Sequence, residues 1–229
     1  MKIFGYIPAR LGSERLKQKN LKLLNGAPLV SYACEEMLKV ENVDWFCLNT
    51  EAEEIAEVGR SKGIDVYKRD ASLAESHVKT DDIVIDFVRQ NPCDIVVLVN
   101  PTAPMLRHQT VAAFVEQFKS TSPSAMFSCS SIKRHALFKG QPLNFELGKK
   151  SPRTQDLEPV KIIDFVICAF DVKQALQNYD LHGSFLYRGQ IDYFDIPEAE
   201  AIDIDTDIEF KIADILLKKK LSSEIQNFS

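Results

Sequence analysis

Apolar residues along this chain recur as short unbroken runs and as rows at helical spacing, and the two patterns alternate. Ile3 to Ile7 is a run ended by Pro8, as in a buried strand stopped by proline. From Pro28 to Val40, Leu29, Ala33 and Met37 form one i, i+4 row and Val30, Cys34 and Leu38 the next, which predicts an amphipathic helix. Val43 to Asn49 predicts a second strand, and Thr50 with Glu53 predicts a capping box opening a helix to about Lys62. Ile64 to Lys68 is a third strand, and Thr80 to Gln90 a helix with Ile83, Val84, Phe87 and Val88 inward. Ile95 to Val99 is the most apolar run, of the kind buried on both faces of a parallel sheet. Arg107 to Lys119 is helical and Ala125 to Cys129 extended. This alternation argues a doubly wound α/β sheet with right-handed crossovers.

Farther on the pattern loosens. Ser130 to Val160 is polar, carries Lys133, Arg134, Lys139, Lys149 and Lys150 with three prolines, and reads as an excursion toward a partner chain. Ile162 to Phe170 returns as a strand, and Tyr193 to Ile196 is another. Thr206 to Lys220 is the closing helix, capped by Thr206 with Glu209, and Ile208, Ile212, Ile215 and Leu216 line one face of it. One domain over residues 1–229, with an arm at about 130–160, accommodates the whole pattern.

Composition narrows the function. The 229 residues are 45% hydrophobic and 27% charged, enough for a sizeable core and contrary to disorder as the main state. The nine glycines include neither a G-x-G pair nor a pair at P-loop spacing, so both glycine-rich phosphate fingerprints are excluded. A net charge of −5 argues against nucleic acid as a partner. Cys34, Cys47, Cys93, Cys129 and Cys168 are dispersed, as are the four histidines, which predicts buried reduced thiols and no zinc site. The N-terminal apolar run is too short for a signal peptide and no run reaches membrane-spanning length, so the expected setting is cytoplasmic.

The net charge hides two blocks. Arg10, Arg15, Lys17, Lys19 and Lys22 stand within thirteen positions, with Glu14 the one acid among them, whereas Asp192 to Glu209 holds eight acids and no Lys or Arg. The basic block directly follows the first strand, where ligands of open α/β sheets bind. Clustered cations there suit a polyphosphate, with a solvated charged loop as the equal alternative. In Ala201-Ile202-Asp203-Ile204-Asp205-Thr206 a strand-like alternation puts Asp203 and Asp205 on one face. Two carboxylates about 5–7 Å apart repel unless a cation lies between them. Mg²⁺ suits that place, and the plainer alternative is charge favouring a helix N-terminus.

Ile7-Pro8-Ala9-Arg10-Leu11-Gly12-Ser13-Glu14-Arg15, running on to Lys19-Asn20, resembles the N-terminal signature of the CMP-sialic acid synthetase (acylneuraminate cytidylyltransferase) family. Asn100-Pro101-Thr102-Ala103-Pro104 resembles its second motif and Asp203-Ile204-Asp205-Thr206 its third, all in family order and spacing. The resemblance implies a Rossmann-like nucleotidyltransferase fold, a mostly parallel sheet flanked by helices, and a homodimer joined by the arm. It implies CTP and an acidic 2-keto sugar as substrates and Mg²⁺ as cofactor, with pyrophosphate released. Pro8, Ala9, Arg10, Gly12, Ser13, Lys19 and Asn20 then fall at nucleotide-binding positions, with Arg69 and Thr80 toward cytosine or ribose. Arg10, Lys19 and Asp205 fall at catalytic positions, Asp203 and Asp205 at metal-binding ones, and Asn100 and Lys161 on the acceptor side. Thr80 also reads as a helix N-cap ahead of Asp81 and Asp82, worth about 1 kcal/mol.

Departures from the family cluster on the sugar side. Its Arg-x-Asn-Gly element is absent from Lys161-Ile162-Ile163-Asp164-Phe165-Val166, its glutamine is Asn100, and its second-motif arginine is displaced to Arg107. The acceptor therefore stays open between a sialic-acid-like nonulosonate and another acid such as a Kdo-like sugar. A glycosyltransferase, through the Asp-x-Asp pattern, and a non-catalytic nucleotide-binding relative are the other classes; neither accounts for the Arg10 to Asn20 block together with both aspartates.

Overall fold

The structure, a computed structural model, describes residues 1–13 and 15–226; Glu14 and the side chains from Lys220 onward lie outside the described residues. The first half runs β1 (Ile3–Pro8), β2 (Leu23–Leu24), β3 (Ala27–Pro28), α1 (Leu29–Met37), β4 (Trp45–Thr50), α2 (Glu53–Lys62), β5 (Asp65–Lys68), α3 (Thr80–Gln90) and β6 (Ile95–Val99). The second half runs α4 (His108–Thr121), β7 (Ala125–Ile132), β8 (Leu137–Phe138), β9 (Gln141–Pro142), β10 (Val160–Asp171), α5 (Val172–His182), β11 (Ile191–Asp195) and α6 (Asp207–Gln226).

Seven strands form one sheet in the order β11-β7-β10-β6-β1-β4-β5. β1 pairs parallel with β4 and β6, β4 with β5, and β11 with β7. β10 alone runs antiparallel, to both β6 and β7. Two short hairpins, β2–β3 and β8–β9, stand outside the sheet.

The period-two alternation of the strands sorts their side chains into two cores. Ile3, Ile7, Val97, Val99, Ile167 and Ala169 pack on one face under α1, α2 and α4, with Phe114 and Met37 among the contacts. Phe4, Tyr6, Val96, Leu98, Cys168 and Phe170 pack on the other, under α3 and α5. All five residues of β6 are buried, as its unbroken apolar run predicts. Four of the five free thiols are buried, and desolvation pushes those of Cys34 and Cys93 up to about 12.

Local details correct several expectations. Thr50 ends β4, and α2 begins after Ala52, whose amide bonds the Thr50 hydroxyl at 3.2 Å. Glu53 instead pairs with Arg60 and Lys68, so no capping box forms there. Leu38 is exposed because α1 ends at Met37. Thr80 lies one position inside α3, whose N-cap is Lys79, and Asp82 accepts the Lys79 amide at 3.2 Å. In α6 the inward face is Phe210, Ala213 and Leu217, packed near Leu24, Leu29 and Ile204. Ile208, Ile212 and Ile215 are exposed, because the small Ala213 lets the other stripe approach the hairpin closely. The run from 202 to 205 is not a strand, although Ile204 is fully buried and Asp203 and Asp205 flank it outside.

β10 carries the one large irregularity. Ile163 faces Cys129 and Cys168 faces Phe127, so the four residues Asp164 to Ile167 oppose the single Ser128 of β7. Within this bulge Phe165 takes φ 57°, a left-handed conformation that costs an aromatic residue about 1–2 kcal/mol. The arm expected near 130–160 holds β8–β9 and presents Leu137, Phe138, Leu143 and Leu147 as exposed apolar side chains. Among the described residues no helix is long and apolar enough to cross a membrane.

Gly5 of β1 lies against Phe46, and a Cβ added there would fall 1.9 Å from a ring carbon. Gly5→Ala is expected to destabilise the fold by about 1–3 kcal/mol, read as a lower urea midpoint. Gly12→Ala, where a Cβ meets nothing within 4 Å, leaves that midpoint unchanged.

Candidate active site

The carboxyl ends of four adjacent parallel strands deliver the polar residues of one edge. β1 leads into Ala9 and Arg10, β4 into Glu51, β5 into Arg69 and β6 into Asn100. Backbone bonds fix these exits: Ala9 N–H to Asn49 O at 2.9 Å, Arg69 N–H to Thr50 O at 3.2 Å, and Asn100 N–H to Val166 O at 2.9 Å. This is the edge at which open α/β sheets take their ligands.

The basic loop curls over that edge through a tight turn at Lys19–Leu21. Asn20 is buried inside it and donates to the Arg10 carbonyl at 2.9 Å, which ties the loop's two ends together. Arg10 reaches the Ala74 carbonyl at 3.3 Å. Lys19 and Arg15 both bind Asp205, each at 2.8 Å. Arg10, Gly12, Ser13, Lys19 and Asn20 line a cavity of about 160 Å³ whose wall Asp205 shares. Pro8, by contrast, joins Tyr6, Thr80, Asn100, Phe165 and Cys168 around a second, largely apolar cavity of about 290 Å³.

Asp203 and Asp205 border a third cavity, about 670 Å³, together with Asp164, Glu198 and Glu209 and with no Lys, Arg or His. Asp203 receives Asn100 Nδ2 at 3.3 Å and contacts the Thr102 hydroxyl, which also lies 2.7 Å from Asn100 Oδ1. The Ile204 amide bonds the Thr102 carbonyl at 2.9 Å, joining the second and third motifs through the backbone. Glu209 clamps the far side: one of its oxygens accepts the Asp205 amide at 2.8 Å and the Thr206 amide at 2.7 Å, while Thr206 caps α6 as expected. Burial pushes the Asp203 carboxyl above the ordinary aspartate range, against the lowering effects of Thr102 and Lys19.

The donor set of Asp203 and Asp205 fits Mg²⁺. That ion takes one or two carboxylates and leaves its other positions to water and phosphate, and both aspartates open onto one cavity. A cage of three or more His, Cys, Asp or Glu is absent among the described residues.

Besides Pro8, three residues of the expected site, Arg69, Thr80 and Lys161, stand apart from the basic loop. Arg69 is buried; it donates to Asn49 Oδ1 at 3.1 Å and Glu51 Oε2 at 2.9 Å. Thr80 meets Asn100 across the apolar cavity, not at the basic loop. Lys161 pairs with Asp195 at 2.6 Å on the outer part of β10, beyond the bulge from Val166, where Asn100 is bonded. Sequence reading passed over Glu51, Asn49 and Thr102. The position of Glu51 just past a parallel strand was a usable signal, and Thr102 sat inside a motif already singled out.

Residues 5–154 match the family model described as Cytidylyltransferase. N-acylneuraminate cytidylyltransferase of Oncorhynchus mykiss is 23% identical over 224 residues, covering 93% of this chain and 49% of that protein. CMP-N,N'-diacetyllegionaminic acid synthase of Legionella pneumophila is 28% identical over 235 residues, covering 95% of this chain and 97% of that protein. The chain thus spans about half the length of the first relative and nearly all of the second. Among solved structures, CMP:2-keto-3-deoxy-manno-octonic acid synthetase complexed with CTP superposes with a TM-score of 0.74 at 17% identity, covering 96% of this chain and all of that one. That likeness shows a shared Rossmann-like nucleotidyltransferase fold.

The raised Asp203 carboxyl gives a signed pH dependence. Its folded form binds the proton more tightly than the unfolded chain, whose reference value is 3.8, so the ionised carboxylate costs stability at neutral pH and that cost disappears as pH falls through the unfolded value. Relative to the parent chain, Asp203→Asn is therefore expected to gain more stability near neutral pH than in acid, as compared by urea unfolding under both conditions.

Proposed function

The chain belongs to the cytidylyltransferase family, and on that premise we propose that it couples CTP to an acidic sugar in an Mg²⁺-dependent reaction that releases pyrophosphate. The observation that carries this reading is the meeting of Lys19, Arg15 and Asp205 on the wall between a cationic cavity and an acidic one. Arg10, Lys19 and the backbone at Gly12 and Ser13 receive the triphosphate. Arg69 and Thr80 serve the cytidine, Asn20 belongs to the nucleotide-binding loop beside Arg10 and Lys19, and Asn100 serves the acceptor. As pyrophosphate leaves, negative charge gathers on the bridging oxygen, where Lys19 and Arg10 stabilise it. Asp203 and Asp205 would hold Mg²⁺, which would supply Lewis-acid polarisation of the reacting phosphate. Lys19 and Arg15 both pair with Asp205, so an incoming triphosphate would compete with this carboxylate for the two cations.

The acceptor class rests on the relatives named for N-acylneuraminic and legionaminic acids. An anionic acceptor beside Asp164, Glu198, Asp203, Asp205 and Glu209 requires added positive charge. We assign part of it to the metal and part to a second copy of this chain, whose arm carries Lys133, Arg134, Lys139, Lys149 and Lys150 next to its exposed apolar side chains. The proposed assembly is a homodimer, in the cytoplasm, the compartment that suits five free thiols.

With CTP, Mg²⁺ and a panel of 2-keto sugar acids, pyrophosphate release is expected for at least one acceptor; absence of CTP binding by calorimetry would end this reading. Lys19→Ala is expected to lower kcat by about 10²–10³-fold. Asp205→Asn should abolish the metal-dependent gain in CTP affinity while strengthening binding in EDTA, since Lys19 and Arg15 lose a competing anion. Sedimentation should give a dimer, shifted toward monomer by Phe138→Asp.

A further inference from the structure

Among the described residues, Glu51 is the one carboxylate that hydrogen-bonds both the basic loop and the buried arginine. Its Oε1 accepts the Leu11 amide at 2.8 Å and its Oε2 accepts Arg69 Nη2 at 2.9 Å. The contacts are sheltered, with side-chain exposures of 13% for Glu51 and 2% for Arg69. Asn49, two residues earlier, holds the other arm of the guanidinium at 3.1 Å and anchors Ala9 through its carbonyl at 2.9 Å. The end of β4 thereby sets the course of the loop and the orientation of Arg69 together.

Two donors at this junction, Arg69 Nε and Asn49 Nδ2, are buried without a hydrogen-bond partner among the described residues. An unpaired buried donor is destabilising, so both are strongly biased toward an acceptor. Cytosine offers acceptors at O2 and N3, whereas uracil presents an N–H at N3. With one bond from each Nη group taken by Asn49 and Glu51, Nε is the one guanidinium nitrogen that has no partner at all among the described residues.

Resting on the reading that Arg69 serves the cytidine and the basic loop the triphosphate, we infer that Glu51 is a positioning residue that couples base selection to the geometry of the triphosphate loop. It turns Arg69 so that the unpartnered Nε side of the guanidinium meets the acceptor edge of cytosine, and it pins the Leu11 amide. A carboxylate is required because both ends must accept. A glutamine has one accepting and one donating end, so its amide sets N–H against N–H at either Leu11 or Arg69.

The test is Glu51→Gln, with turnover of CTP and UTP measured side by side and the fold followed by thermal unfolding. The expected result is at least a tenfold rise in KM for CTP, at least a tenfold loss of preference for CTP over UTP, and kcat within threefold of the parent. A folded variant with unchanged CTP-over-UTP preference overturns the inference. Should the variant not fold, amide exchange in the parent chain decides. Cytidine, which has no phosphate, is expected to slow exchange at Leu11; protection confined to the segment around Arg69 overturns the coupling. Failure of the parent chain to bind CTP removes the nucleotide site itself, whereas CTP binding with either negative result removes only the role of Glu51.

Discussion

Lys19 and Asp205 meet at 2.8 Å across 186 positions of the chain, and the rest of the site is arranged around that contact. Like charges concentrated on one loop, or along one acidic stretch, are unfavourable by themselves. Folding brings the two stretches together, so each serves as the other's counter-charge. Arg15 joins from the basic side, and Lys22 with Asp207 extends the contact outward at 3.1 Å. Exposed pairs of this kind add little to stability, but Lys19 is mostly buried, and its charge has to be balanced for the ligand-free fold to hold. The opposed charge blocks thereby neutralise one another within the fold.

The sheet explains how so few residues suffice. Parallel strands β1, β4, β5 and β6 all end at one edge, and the first or second residue past each end is a polar group of the site. Glycine-rich turns are unnecessary there, because the loop is tied by Asn20 to the Arg10 carbonyl and by Glu51 to the Leu11 amide. Side chains here fix the loop that close backbone approach at glycines fixes in glycine-rich phosphate loops.

Much of this was legible in the sequence. The alternation of strand and helix, the buried run Ile95 to Val99 and the opposed charge blocks came directly from pattern and composition. What stayed hidden depended on tertiary choice. α6 carries two apolar stripes, and only the neighbouring hairpin decides that Phe210, Ala213 and Leu217 turn inward while Ile208 and Ile212 face out. The burial of Arg69 follows only from Asn49 and Glu51 closing around it. α5 escaped notice although its local signals were present: Asp171 caps it by accepting the Gln174 amide at 2.8 Å, and Gly183 ends it at φ 68°.

The bulge in β10 acts on phase. Four residues there take the place of one on β7, an odd excess, so side-chain parity inverts between the inner strand and its extension into the arm. Cys168 and Ile163, of opposite parity in sequence, consequently point to the same side of the sheet. The inner segment can keep its alternation for the core while the outer segment follows a separate one. Changes in arm length beyond the bulge leave the catalytic edge in register, whereas losing one residue inside it would turn either the core strand or the arm strand inside out.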